Sequence, residues 1–150
     1  MYNTVLVAVD INDNYKEILT KGIKIAKENH AELIICHIQT LVVPTVGAEA
    51  VVMNAGINEV TDYEKEELEK MKQIADFSSL KNTKIVIEHS INTVSAIVDD
   101  VSTREMVDLI VCGSSNSHGF SRFLLGSVSS GIAKHAKCDV FIVKDEIKKW

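Results

Sequence analysis

The chain has 150 residues, 46% of them hydrophobic and 25% charged, and a net charge of −5. That length fits one domain over residues 1–150 with room for a real core, and the acidic balance excludes nucleic acid as the default partner, since a phosphate backbone attracts a basic surface. The first residues show no basic segment leading into an apolar one, so no secretory leader is read and a cytoplasmic protein is expected.

In chain order, strand and helix signals alternate. Residues 5–9 form an apolar run rich in β-branched side chains, the first predicted strand. Tyr15, Ile18, Leu19, Gly22, Ile25 and Ala26 then share one face of a predicted helix, with Asp13 or Asn14 as its N-cap. Residues 33–38 predict a second strand ending at Ile38. Residues 41–59 carry Pro44, Gly47, Glu49 and Gly56, which suit neither a membrane span nor a regular element. They predict a long loop that acts as a lid or is mobile, and Val51, Val52 and Met53 could close over a ligand.

Thr61 followed by Glu64 reads as a capping box, opening a helix with the stripe Leu68, Met71 and Ala75. Its charged face (Glu66, Glu67, Glu69, Lys70, Lys72) predicts a solvated surface. A strand at 85–87, a helix carrying Val94, Ile97, Val98 and Val101, and a strand at 109–112 follow. The last pair is a helix with Val128, Ile132, Ala133 and Ala136 and a strand at 140–143. None of the strand runs alternates apolar with polar residues, which predicts burial on both faces in a parallel sheet. Right-handed crossovers then give a three-layer α/β/α sandwich, with ligands at the carboxyl ends of the strands.

Residues 113–127 are the chemical signal. Four of the seven glycines (Gly113, Gly119, Gly126, Gly131) fall between 113 and 131, among hydroxyl side chains, between a strand and a helix start. Glycines let a backbone approach phosphate, and helix-start amides attract an anion. Ser127, Ser129 and Ser130 crowd that helix N-terminus. Arg122 and His118 read as surface loop residues, and His30, His37, His89 and His135 lack metal-ligand spacing. Cys36, Cys112 and Cys138 show no CxxC spacing and read as small buried thiols.

Competing nucleotide folds fail on particular positions. No glycine precedes Gly22, so a dinucleotide-binding turn after the first strand is excluded, and no GxxxxGK[ST] exists. The turn at residues 10–14 is acidic and would repel a flavodoxin-type phosphate. The third strand ends in Glu88-His89-Ser90, without the aspartate of a phosphoacceptor domain.

The order Asp10 at a strand end, then Gly113-Ser114, then Gly126-Ser127 resembles the universal stress protein family over residues 2–144. Its ATP-binding members carry Gly-x2-Gly-x9-Gly-Ser/Thr. Gly113, Gly126 and Ser127 match, and Asn116, tolerant of positive φ, stands at the second glycine. The resemblance implies a five-stranded parallel sheet in the order 3-2-1-4-5 with four helices, the adenine nucleotide alpha hydrolase-like fold. It implies ATP or another adenine nucleotide, with Mg²⁺, as ligand. Val9 and Asp10 would meet the base or ribose, the Ile38 backbone would bond adenine, and Gly113, Ser114, Ser115 and Asn116 would lie along ribose and phosphates. Gly126, Ser127, Val128 and Ser129 would hold phosphate. It further implies a homodimer through the last strand (Val140, Phe141, Ile142). No nucleophile–base–orienter set is visible, so a binding module for stress sensing or regulation is expected, without efficient catalysis. A nucleotide-free dimeric interaction protein and a slow ATPase are the alternatives.

Overall fold

Unbroken apolar runs become the inner strands of one parallel sheet. The computed structural model describes residues 1–11, 15–41, 60–80, 82–114 and 125–144. In order these form β1 (Thr4–Ala8), α1 (Tyr15–Asn29), β2 (Glu32–Thr40), α2 (Asp62–Phe77), β3 (Thr83–Ser90), α3, β4 (Leu109–Gly113), α4 (Ser127–His135) and β5 (Asp139–Val143). The helical segment α3 opens as α over Thr93–Ser95, passes through π geometry over Ala96–Val101 and closes as α over Ser102–Arg104. All pairings are parallel, in the order β3-β2-β1-β4-β5. This is the expected three-layer sandwich, a five-stranded parallel sheet with four helices.

The inner strands feed two cores. Val5, Val7, Leu33 and Ile35 pack with Ile18, Leu19 and Ile23 of α1 and with Leu68 and Met71 of α2. Leu6, Ile34, Cys36 and Ile110 pack on the other face, with Ile97, Val98 and Val101 of α3 and Ile132 of α4. α1 lies so close to β1 that a Cβ on Gly22 would sit 2.2 Å from Val7 Cγ2.

Several expectations shift in detail. β5 alternates between exposed and sheltered positions and β3 is mostly half-buried with Lys84 and His89 exposed, instead of both burying both faces, because they are the sheet edges and the helices cover them incompletely. In α1, Ile23 is buried and Ile25 only half-buried. In α4, Ser129 and Ile132 are buried, whereas Val128 and Ala133 are exposed. β2 runs past Ile38 to Thr40, held by β3 through Thr40↔Ser90. The capping box forms as read: the Thr61 hydroxyl accepts from the Glu64 amide, and the Glu64 carboxylate accepts from the Thr61 amide. Asp13 and Asn14, the expected lid residues Val51, Val52 and Met53, and Ser115, Asn116, His118, Gly119 and Arg122 lie outside the described residues.

Candidate functional site

Unequal strand lengths create the site. β1 makes its last pairings through Ala8↔Cys36 and Val7↔Val111, while β2 continues through His37, Ile38, Gln39 and Thr40, and β4 through Cys112 and Gly113. The result is a notch above the end of β1. It opens into a cavity of about 450 Å³ lined by Ala8, Val9, Asp10, Cys36, Ile38, Gln39, Glu64, Thr93, Gly113, Val128 and Ser129, among others. That volume falls in the usual range for small-molecule sites.

Ile38 presents backbone to this notch. In a parallel ladder, alternate residues turn their amide and carbonyl toward the same neighbour. The Cys36 carbonyl accepts from the Val9 amide at 2.9 Å, so it faces β1. The Ile38 amide and carbonyl face the same way, at a level where β1 has stopped.

The far wall is pinned at Ser114. Its amide donates to the Val143 carbonyl, and its carbonyl accepts from the Gly126 amide, both at 2.9 Å. The buried Ser129 hydroxyl lies 3.3 Å from that carbonyl and 3.2 Å from the Gly126 carbonyl. These bonds seat the start of α4 against the end of β4. Gly126 is the N-cap and supplies no side-chain cap, so the first-turn amides keep their capacity to bind an acceptor.

The near wall is polar. The buried His37 ring places Nδ1 3.4 Å from the Val9 carbonyl and Nε2 3.5 Å from Glu64 Oε1. The second separation lies within ion-pair range but lacks hydrogen-bond geometry, since among the described residues His37 Nε2 has no hydrogen-bond partner. Glu64 Oε2 accepts from the Thr61 amide at 2.7 Å and the Thr61 hydroxyl at 2.9 Å. The Thr61 amide is the main reason the Glu64 carboxyl titrates below the usual glutamate range, and His37 adds to it. Across the notch, the hydroxyls of Thr40 and Thr93 are 3.1 Å apart, tying the end of β2 to the start of α3.

Burial pushes the Cys36 thiol up to about 12 and the Cys112 thiol up to about 11, so neither supplies a thiolate nucleophile at neutral pH. Among the described residues, no three His, Cys, Asp or Glu side chains cluster to hold a metal, and no helix is long and apolar enough to cross a membrane.

Of the site residues expected from sequence, Val9, Asp10, Ile38, Gly113, Val128 and Ser129 come together around the cavity. Ser114 and Gly126 form its support through their mutual hydrogen bond, and Ser127 is an exposed first residue of α4. Ser115 and Asn116 lie outside the described residues. Sequence reasoning missed His37, Gln39, Thr40, Glu64 and Thr93 as cavity residues. For Gln39 and Thr40 the only signal was their position beyond the apolar run, and for His37 it was a polar side chain inside that run.

Residues 1–144 match the universal stress protein family. A curated universal stress protein of Staphylococcus haemolyticus is 32% identical over 147 residues, 97% of this chain and 86% of its own length. Among solved structures, the universal stress protein UspA from Lactobacillus plantarum superposes with a TM-score of 0.79 at 25% identity, covering 95% of this chain and 97% of that one. A universal stress protein solved in complex with cAMP superposes with a TM-score of 0.67 at 24% identity, over 95% of this chain and 97% of that one.

Proposed function

The chain belongs to the universal stress protein family, and on that premise we propose that it binds an adenine nucleotide, ATP foremost, in the notch above β1. Residues 1–150 act as one such domain, a cytoplasmic stress-response sensor or regulator rather than an efficient catalyst. The observation that carries this reading is the pair of opposed backbone features. At one end Ile38 offers an amide donor beside a carbonyl acceptor, the complement of an adenine edge with a ring nitrogen beside an exocyclic amine. At the other end the α4 N-terminus, with no side-chain cap, suits phosphate. The cAMP bound by a structural relative supports an adenine ligand in a cleft of this fold. Val9 and Asp10 then border the base or ribose, Gly113 to Asn116 follow the ribose and phosphates, and Gly126 to Ser129 hold phosphate. Mg²⁺ travels on the phosphates and needs no protein ligand cluster.

The test is the melting temperature of nucleotide-stripped protein with and without millimolar ATP and Mg²⁺, in the native chain and in Gly126→Asp. Gly126 has φ −63° and ψ 163°, which any residue adopts, and aspartate is a good N-cap. The variant therefore keeps its helix while placing a negative charge where phosphate would lie. Ligand at about 100 times its Kd adds roughly 2.7 kcal/mol. A shift in the native chain that disappears in the variant is expected. No shift in either chain moves the reading to a nucleotide-free dimeric interaction protein, and rapid turnover of ATP sensitive to loop mutations moves it to an ATPase.

A further inference from the structure

We propose that Gln39 is a specificity residue that reads the exocyclic amine of the bound base and so discriminates 6-aminopurines from 6-oxopurines. The inference rests on the nucleotide reading above and goes beyond it by assigning a side chain to base selection. Gln39 lines the cavity one residue after Ile38, on the part of β2 that outruns β1. By strand alternation its side chain shares the face of His37, the α2 side of the sheet. Its Oε1 is closed off from solvent and has no hydrogen-bond partner among the described residues. His37 Nε2, the neighbouring polar atom in the same condition, at least faces the carboxylate of Glu64.

A sheltered amide oxygen without a donor is costly, and such atoms in folded proteins call for a water, an ion or a ligand. The position of this one selects the donor. A purine set against the Ile38 backbone brings its 6-substituent to the end of β2. An amino group there has two hydrogens, one for the Ile38 carbonyl and one that Gln39 Oε1 accepts once its side chain turns out into the cavity. A 6-oxo group has none, so it would set oxygen against oxygen at the Ile38 carbonyl and could meet Gln39 only by turning its amide end for end. A site built to hydrogen-bond an N–H rejects the analogue lacking it more strongly than an apolar pocket rejects a change of size.

The experiment measures the Kd of ATP and of inosine triphosphate, each with Mg²⁺, for the native chain, Gln39→Leu and Gln39→Glu. Leucine removes the acceptor at similar size, and glutamate keeps it. The native chain prefers ATP, and in Gln39→Leu that preference falls by about tenfold through weaker ATP binding, the loss of one hydrogen bond to a sheltered acceptor. Gln39→Glu retains the preference. An ATP-to-inosine ratio unchanged within about twofold in Gln39→Leu, or a native preference for inosine triphosphate, overturns the assignment while leaving nucleotide binding intact. Failure of the native chain to bind either nucleotide overturns both readings.

Discussion

Glu64 serves two structures at once. One carboxylate oxygen closes the capping box of α2 on Thr61, and the other faces His37 on the cavity wall. Because folding lowers its pKa, Glu64 contributes stability above the ordinary glutamate value of 4.5, and that contribution is lost as pH falls through the folded value. Glutamine keeps the capping geometry without the charge. Urea midpoints measured between about pH 6 and pH 3 should therefore fall less steeply for Glu64→Gln than for the native chain. An identical pH slope would show that the carboxylate has no folded-state preference. Ser129 belongs to the same scale. Its buried hydroxyl bridges toward the Ser114 and Gly126 carbonyls, so Ser129→Ala should cost about 1–2 kcal/mol in denaturant unfolding. A loss well below that would mean that the amide bond from Gly126 to Ser114 alone seats the helix.

The elements end in ways their residues do not advertise. α1 is followed by His30 at φ 54°, and Met106, just past α3, stands at φ 52°, both in the left-handed region where glycine is the common choice. The Ala31 amide reaches back to the Ala26 carbonyl, and the Val107 amide to the Ser102 carbonyl, each at 2.9 Å, so both ends close as Schellman turns without glycine. Met106 is 80% exposed and has little packing to lose. Met106→Gly should raise stability by about 1 kcal/mol, visible as a Tm increase of a few degrees. Gly22 works the opposite way. Alanine gains about 1 kcal/mol in helix propensity, but its methyl meets the stiff, buried Val7 side chain, and overpacking of that kind costs about 1–3 kcal/mol. The close approach should win and lower the Tm of Gly22→Ala, while an increase would mean that α1 can back away from β1. The π-helical stretch of α3 was equally hidden, since Val94, Ile97, Val98 and Val101 satisfy a 3.6-residue period on paper. The Ser102 amide and hydroxyl both bond to the Ile97 carbonyl, five residues back, a choice visible only with the segment packed against the sheet.

For the molecule as a whole, β5 is an edge strand beside β4, with Phe141 43% exposed. An exposed apolar edge invites pairing, and we propose that two copies associate through Val140, Phe141 and Ile142. Sedimentation at micromolar concentration should give the dimer mass, and Phe141→Lys should give the monomer with its fold intact. A native monomer would remove the interface.

The number and type of the elements, the parallel character of the sheet and the capping box of α2 were all legible from residues close together in the chain. Those features depend on local periodicity, local hydrogen bonds and local spacing. The notch was not legible, because it arises from a difference in length between strands whose pairing joins residues about 28 positions apart, as in Ala8↔Cys36. Nor was the wall of His37, Gln39 and Glu64, which draws on β2 and on a helix that begins beyond residues 41–59. Sequence by itself determined which of the described segments become strands and which become helices. Only the tertiary structure decided which polar side chains border the cavity, because strand register and helix docking place them there and neither is encoded in any one stretch of the chain.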